Sequence, residues 1–409
     1  MAKPLDVKIR ARSGILMNAD TGAILYQKNA HETSFPASIT KIATALYVLE
    51  KQADKLDTAI TFPNECLTSV SKSVKMANHY SLAPYLLEPD GTHYYIKRGE
   101  EISIRDLLYG LLIKSGNDAA NVLAHHTSGS IVSFMKELNL FLKGLGCKKT
   151  RFHNPHGLHH PFHITTAYEM ALITKEALKN PYFQKIVAAA SWTRQATNKQ
   201  KEIEILQNNK LLRKDSKFFY DKAIGVKTGY TQDAGPTIVA AARDKERTLI
   251  AVLLGYSDRS DRYRDAIHLF ETAFLEKKIS RCLFAKGDTK FSKKIAGGKS
   301  ELIAGIKDDV IWKYYPSEEE ELETELEWKT LKPPIKEGVL VGKIILKDQR
   351  KNPLLEVDLF SQNAVDPSWG LILQSWIVNW IFMGLAGLAC LFGGIWRKIY
   401  KQRKKIVET

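Results

Sequence analysis

Cysteine is scarce in this 409-residue chain, which has only Cys66, Cys147, Cys282 and Cys390, at no short Cys-x-x-Cys spacing. That excludes a structural zinc ribbon and a disulfide-stapled mini-domain. A Cys66–Cys147 or Cys147–Cys282 bridge in an oxidising compartment stays open. Glycine and proline are also modest, 25 and 14 residues, so the chain is neither collagen-like nor low-complexity. No internal repeat is evident. The net charge is +15, but no RNA- or DNA-binding signature accompanies it, and charge alone argues about association and not about function. We expect no nucleic-acid partner. The opening residues, MAKPLDVKIRARSG, lack the apolar run of roughly 7–15 residues that a secretory signal carries.

What the chain does have is 44% hydrophobic residues, enough for a sizeable core, and a length that fits two or three domains of roughly 100–200 residues. From Leu371 to Trp396 no residue is charged. A membrane-spanning helix needs about 20 largely apolar residues, and this stretch supplies them. Trp369, Trp376, Trp380 and Trp396 lie toward its ends, where indole rings favour the headgroup region. Arg397, Lys398, Lys401, Arg403, Lys404 and Lys405 follow at once. The positive-inside bias then predicts a single-pass anchor in the inner (cytoplasmic) membrane, contacting lipid through residues 371–396, with a cytoplasmic tail and the remainder outside. An interfacial amphipathic helix, wet at Gln374, Ser375 and Asn379, is the weaker alternative. An exported chain needs a signal, so the sequence is expected to begin after a removed signal peptide or at a new Met1.

Residues 13–28 read as a hairpin around an Asn18–Gly22 turn, and Ile39, Ile42, Leu46 and Leu49 recur at helical spacing after Pro36. Ser103 looks like an N-cap, a second helix follows the break at Ser115-Gly116-Asn117, and another covers Thr166 to Leu178. AIGVKTGYT, PTIVAAAR and RTLIAVLLGY are β-rich runs, closed by a helix from about Arg262 to Phe274. Strands at both ends with helices between describe an α+β domain with an antiparallel sheet. After about residue 276 short strands take over, as in LLEVDLF, where Leu355, Val357 and Leu359 alternate with acids. The acidic run Glu318–Glu321, with Glu323, Glu325 and Glu327, reads as the solvated face and edge of a strand. The expected division is 1–275, a small β-sandwich-like domain at 276–366, an anchor at 367–396 and a tail at 397–409.

Three short motifs carry the chemistry: Ser38-Ile39-Thr40-Lys41, Ser115-Gly116-Asn117 and Lys227-Thr228-Gly229. They follow the S-x-x-K, S-D-N and K-T-G signature of serine acylation, with Gly116 at the middle position of the second motif so that it fits as S-x-N. Each alone is weak, since Ser69–Lys72 and Ser133–Lys136 also fit the first. Order and context raise the specificity. Ser38 opens a predicted helix, and positions three apart share a face, so its hydroxyl and the Lys41 amine can meet. A serine hydroxyl needs a base, and an amine serves only if its pKa is lowered, which burial and a second cation such as Lys227 achieve. Ser115 can relay a proton to the departing amine, and Asn117 can orient an amide or Lys41. Lys227 and Thr228 offer a cation and a hydroxyl to a carboxylate, while Gly229 lets the backbone come close. The oxyanion hole is expected from the N–H groups of Ser38 and Tyr230.

These residues resemble the low-molecular-mass penicillin-binding proteins, the serine-type D-alanyl-D-alanine carboxypeptidases. The resemblance runs from Thr21-Gly22 and Pro36-Ala37-Ser38 through Ser115–Ala120 and Asn154-Pro155-His156-Gly157-Leu158 to Lys227–Thr231 and Ala234-Gly235. Pro334–Gly338 in the small β-domain and the C-terminal anchor extend it over nearly the whole chain. It implies the serine β-lactamase/DD-peptidase-like fold, removal of terminal D-alanine from peptidoglycan stem pentapeptides through an acyl-enzyme, and capture by β-lactam antibiotics. Carried over, Ser38 is the nucleophile, Lys41 the base, Ser115 and Asn117 the second motif, and Lys227, Thr228, Gly229 and Tyr230 substrate contacts. Arg262 looks like the arginine that meets the substrate carboxylate.

This sequence departs in three places. The anchor reads as spanning and not amphipathic. The stretch Lys75–Arg98 looks longer than usual, which bears on substrate access. No clear Glu-x-x-Leu-Asn segment supplies the deacylating carboxylate of class A β-lactamases. The readings weighed beside carboxypeptidase are DD-endopeptidase or transpeptidase, β-lactamase, and a non-catalytic wall-binding scaffold. Five histidines, His153, His156, His159, His160 and His163, invite a metal, but no His-Glu-x-x-His pattern frames them. No metal and no cofactor are expected.

Overall fold

The computed structural model describes residues 2–288, 291–348 and 351–407. Glu408 and Thr409, the end of the expected tail, lie outside the described residues. The chain folds as two compact units, the first formed by Ala2–Lys277 with Tyr315–Glu319.

The first unit contains the expected hairpin of β1 (Ser13–Asn18) and β2 (Ile24–Lys28) and two small ribbons, β3 (Ala59–Ile60) with β4 (Ile102–Ser103) and β5 (Ser191–Arg194) with β6 (Ile203–Leu206). The runs expected to be strands are β7 (Ala223–Thr231), β8 (Gly235–Asp244) and β9 (Arg247–Leu254). They complete a five-stranded antiparallel sheet in the order β2-β1-β9-β8-β7, which leaves β7 at an edge. Both faces of this sheet are covered, so its central strands are apolar without alternation over Ile238–Ala242 and Leu249–Leu254. Val239, Ala241, Ile250 and Val252 join the core on one face, and Ile238, Ala240, Leu249 and Ala251 the core on the other.

The larger core lies against helices α1 (Lys41–Gln52), α2 (Lys72–Ala77), α3 (Ile104–Tyr109), α4 (Asn117–Ser128), α5 (Ile131–Gly144), α6 (Ala167–Ala177) and α7 (Pro181–Ala188), of which all but α2 contribute buried side chains to it. The smaller core is closed by α8 (Asp261–Phe274). Ser103 caps α3 as its sequence position predicts, accepting a hydrogen bond from the Asp106 N–H. Thr166 does the same for α6 through Glu169.

Residues 315–319, which the sequence assigns to the small β-domain, pack within this first unit. The reading of Glu318 as a solvated acid is therefore corrected. Its side chain is only 10% exposed, and it accepts hydrogen bonds from Asn18 Nδ2 at 2.8 Å and Arg247 Nη2 at 2.5 Å. Arg247, 4% exposed, lies 3.8 Å from the Tyr315 ring centroid and requires a counter-charge, because an unpaired buried guanidinium costs several kcal/mol.

The second unit comprises Lys278–Tyr314 and the residues from Glu320 onward. β10 (Ile279–Phe284) precedes β11 (Phe291–Lys293) and β12 (Leu302–Gly305), and pairs with β13 (Val310–Tyr314). β14 (Glu323–Trp328), β15 (Leu340–Lys347) and β16 (Pro353–Ser361) complete a five-stranded sheet in the order β11-β12-β16-β15-β14. Val341, Ile344, Leu346 and Leu359 fill its core. β14 is an edge strand, as its alternating acids predict, and Glu323, Glu325 and Glu327 pair with Lys351, Lys347 and Lys343. A single helix, α9 (Trp369–Val407), ends the chain, and its portion Ile372–Ile399 is long and apolar enough to cross a membrane.

Candidate active site

Ser38 sits in a short 3-10 turn, Ala37–Thr40, that runs directly into α1. Ala37 adopts φ +53°, a left-handed conformation that costs a non-glycine residue of order 1 kcal/mol or more and persists only when its surroundings hold it. Thr40 Oγ1 donates to the Ala37 carbonyl at 2.8 Å and lies 2.9 Å from His163 Nε2. Gly157 presses on the same carbonyl. A Cβ there would stand 2.0 Å from Ala37 O, so only glycine fits.

One helical turn further, Lys41 is fully buried, with Nζ 3.0 Å from Ser38 Oγ. Nζ donates to Asn117 Oδ1 at 2.7 Å and to the His156 carbonyl at 2.6 Å. Burial first, and then the Lys227 ammonium, hold this amine well below the ordinary lysine range, with Asp118 opposing them.

The second motif lies where α3, extended by a π-helical turn Gly110–Lys114, meets α4. Ser115 takes a left-handed conformation (φ 71°) at this break and lines a cavity of about 380 Å³ together with Ser38. Asp118 fixes the neighbouring stretch: its carboxylate accepts from the backbone N–H groups of Tyr94 at 2.7 Å and Ile96 at 3.1 Å. Thr92 O accepts from Asn117 N at 2.8 Å, and Thr92 itself lines the cavity. Lys75 is buried and donates to Leu86 O and to Glu88, closing the same stretch on itself. The long segment between the first two motifs is thus pinned to the start of α4 and reaches the cavity at Thr92.

The third motif is on the edge strand β7. Lys227 is buried and donates to the Thr228 carbonyl at 2.8 Å; desolvation, with Arg262 beside it, lowers its pKa to about 7. Gly229 faces Ser38 so closely that a Cβ would lie 2.5 Å from Thr237 Oγ1 and 2.9 Å from Ser38 N. Arg262 Nη1 donates to the carbonyls of Gly229 and Thr237, and Nη2 to the Tyr263 hydroxyl. Its Nε is buried without a partner among the described residues. Tyr230 is half exposed at the mouth, with the Arg259 guanidinium 4.0 Å from its ring centroid.

Ser38, Ser115, Lys227, Thr228, Gly229, Tyr230 and Arg262 all line this one cavity, and Lys41 and Asn117 are joined to it through Ser38 and to each other. Four contributors were missed from sequence: the His156 carbonyl, Asp118, Thr92 and Thr237. His156 lies in the quoted Asn154–Leu158 segment, which was the available signal. Among the described residues no three His, Cys, Asp or Glu side chains are grouped to hold a metal. The histidines instead brace the backbone: His156 Nε2 meets Tyr85 O, and His163 Nδ1 accepts from His153 N. All four cysteines are free thiols.

A family profile described as D-alanyl-D-alanine carboxypeptidase matches residues 1–258, and one described as penicillin-binding protein 5, C-terminal domain, matches residues 280–367. The chain is similar to D-alanyl-D-alanine carboxypeptidase DacF of Bacillus subtilis, 30% identical over 341 residues that cover 82% of this chain and 81% of the relative. Among solved structures it resembles penicillin-binding protein 5 from Haemophilus influenzae, with a TM-score of 0.59, 25% identity, and coverage of 89% of this chain and 100% of the other. It also resembles the Streptomyces K15 DD-transpeptidase, with a TM-score of 0.57, 28% identity, and coverage of 66% and 99%. The chain belongs to the D-alanyl-D-alanine carboxypeptidase family of low-molecular-mass penicillin-binding proteins.

Proposed function

We propose that this chain removes the terminal D-alanine from peptidoglycan stem pentapeptides through an acyl-enzyme on Ser38, and that β-lactams acylate the same oxygen. One observation carries the reading. The buried amine of Lys41 stands 3.0 Å from Ser38 Oγ, and its other two hydrogen-bond directions end on carbonyl oxygens.

Ser38 Oγ attacks the carbonyl carbon between the two D-alanines while its proton passes to Lys41 Nζ. The N–H groups of Ser38 and Tyr230 take the developing oxyanion, which is worth roughly 3–4 kcal/mol per donor in comparable sites. As the C–N bond breaks, the Ser115 hydroxyl hands a proton to the departing amine and is reprotonated from Lys41. Thr228 and a protonated Lys227 receive the terminal carboxylate. Arg262 holds the carbonyls of Gly229 and Thr237 in place, and the positive charge it brings to the cavity lining attracts that carboxylate. Water then attacks the ester, with Lys41 again the base, and free Ser38 returns.

The likeness to the K15 DD-transpeptidase favours a second reading, in which an amine replaces water as acyl acceptor. D-alanine release from a pentapeptide, followed with and without an added amine acceptor, separates the two. Release that is unaffected by the amine and leaves tetrapeptide supports hydrolysis. Accumulation of a peptide–amine product supports transfer, and absence of any release overturns both.

We further assign residues 1–275, with 315–319 packed among them, to catalysis, the rest of 276–366 to a β-domain, 367–396 to a single-pass anchor in the cytoplasmic membrane, and 397–409 to a cytoplasmic tail, with the catalytic part outside. Residues Ile372–Ile399 make about 42 Å of helix, enough for a hydrocarbon core of about 30 Å. Alkaline carbonate should leave the full chain in the membrane; its extraction would favour an interfacial helix.

A further inference from the structure

A second cavity, of about 690 Å³, shares no lining residue with the cleft at Ser38. One wall is a single face of α5, on which Val132, Met135, Lys136, Asn139 and Lys143 are related by three- and four-residue spacings such as 132/136, 135/139 and 139/143. The facing wall is the segment from Cys147 to His153, and Pro84 and Tyr85 close one end.

The charge distribution here is one-sided. Lys136, Lys143, Lys148 and Arg151 line the groove, and among the described residues no acid does. None of the four forms an ion pair among the described residues. The acids on the elements packed around them are engaged elsewhere. Glu137 accepts from the hydroxyls of Tyr47 and Ser128. Glu169 accepts from the backbone N–H groups of Lys148, Lys149 and Thr150 and from the Thr150 hydroxyl. Between these cations runs an apolar floor of Met135 and Phe152, with Val132 67% exposed at its margin.

Two features decide what fits. Lys136 and Lys143 are seven residues apart, about 10 Å along the helix axis, so the groove reads anions spaced along a ligand and not one concentrated charge. A single phosphate or lipid headgroup leaves part of that array unmatched. The apolar floor asks for methyl groups and unbroken aliphatic stretches between the anions, whereas a glycerol phosphate polymer offers only short carbons that each carry an oxygen. The volume falls within the roughly 300–1,000 Å³ of small-molecule sites.

We propose that this groove is a non-catalytic site for a second peptidoglycan stem peptide, whose three spaced carboxylates lie among the four cations while its alanine methyls and diamino-acid methylenes lie on Met135 and Phe152. The choice of occupant rests on the wall-peptide reading above. The groove holds the enzyme to stems that it is not at that moment cutting.

The test is a calorimetric titration of the full chain in detergent, first acylated by benzylpenicillin so that the cleft is blocked. The probe is N-acetyl-L-alanyl-γ-D-glutamyl-diaminopimelate, which carries no D-alanyl-D-alanine. We expect one saturable site, weakened at least tenfold in the Lys136→Glu, Arg151→Glu double variant and lost when the peptide carboxylates are amidated. Benzylpenicillin acylation of that variant should proceed at the wild-type rate, which shows that it is folded. Absence of saturable binding, or binding indifferent to the double substitution, overturns the proposal. So does displacement of the peptide by glycerol phosphate polymer or by anionic phosphatidylglycerol vesicles at equal charge. If benzylpenicillin does not acylate the chain, the proposed function fails on its own, and the same titration of Ser38→Ala still decides the groove.

Discussion

Lys41 Nζ lies 3.0 Å from Ser38 Oγ with its two other directions occupied by Asn117 Oδ1 and the His156 carbonyl. A neutral amine has two N–H groups and one lone pair. The two carbonyl acceptors take the N–H groups, which leaves the lone pair for the serine proton. An ammonium would satisfy the same geometry; burial and the nearby Lys227 shift the balance toward the neutral amine, each unit of lowered pKa being about 1.4 kcal/mol in its favour. In the proposed mechanism Lys227 thereby serves twice, lowering the Lys41 pKa and meeting the substrate carboxylate.

This double use predicts a bell-shaped pH profile. kcat/KM should rise with pH as Lys41 loses its proton, then fall above about 7 as Lys227 loses the charge that a carboxylate needs. A substrate amidated at its C-terminus has no carboxylate to lose and should lack the falling limb. Persistence of that limb with the amide would contradict the assignment of Lys227.

Stability should also depend on pH below neutrality. His156 and His163 are buried, and desolvation first, with neighbouring cationic groups second, holds both well below the usual value of 6.5. Below 6.5 the unfolded chain therefore binds more protons than the folded one. The stabilisation is complete above that pH and is lost as pH falls toward the folded values, by up to about 2.7 kcal/mol per pH unit for two groups. Urea unfolding of the full chain at a series of pH values checks this, and His163→Gln should roughly halve the contribution. A wild-type midpoint that does not move between pH 6.5 and 5.5 would count against it.

Gly157 should tolerate no side chain. With φ +89° and the Ala37 carbonyl in the path of a Cβ, Gly157→Ala is expected to destabilise the fold by more than about 2 kcal/mol and to displace the turn that carries Ser38. Penicillin acylation measured beside unfolding should fall more than tenfold even at temperatures where the variant is folded. Wild-type acylation would show that the close approach is not needed.

Chelation should do nothing. The site is built from Ser38, Lys41, Ser115 and Asn117 without a grouped metal-ligand set, so prolonged dialysis against EDTA is expected to leave D-alanine release within twofold of its starting value. Loss of activity restored by zinc would reverse the reading of the histidines.

Much of this was legible in the sequence, for reasons that also explain what was not. Ser38 and Lys41 are three apart on one helical turn, and residue type with local spacing was enough to join them. β8 and β9 announced themselves because both faces of the sheet are buried. The His156 carbonyl is a backbone atom 115 residues from Lys41, and no residue type signals it. Thr237 gives no local sign that it packs against Gly229 and Pro36. Glu318 was misread because a run of acids looks solvated, and its partner Arg247 is 71 residues away. α5 carries Ile131, Phe134, Met135, Leu138 and Leu142 on one buried face, a period that was readable and was passed over.

The central claim is that Ser38 is the nucleophile. Intact mass spectrometry of the full chain after brief exposure to benzylpenicillin, followed by mapping of the modified peptide, tests it directly. The account predicts one penicilloyl adduct, on the peptide containing Ser38, and none in a folded Ser38→Ala variant. An adduct that survives Ser38→Ala, or no adduct on the folded wild-type chain, would contradict it.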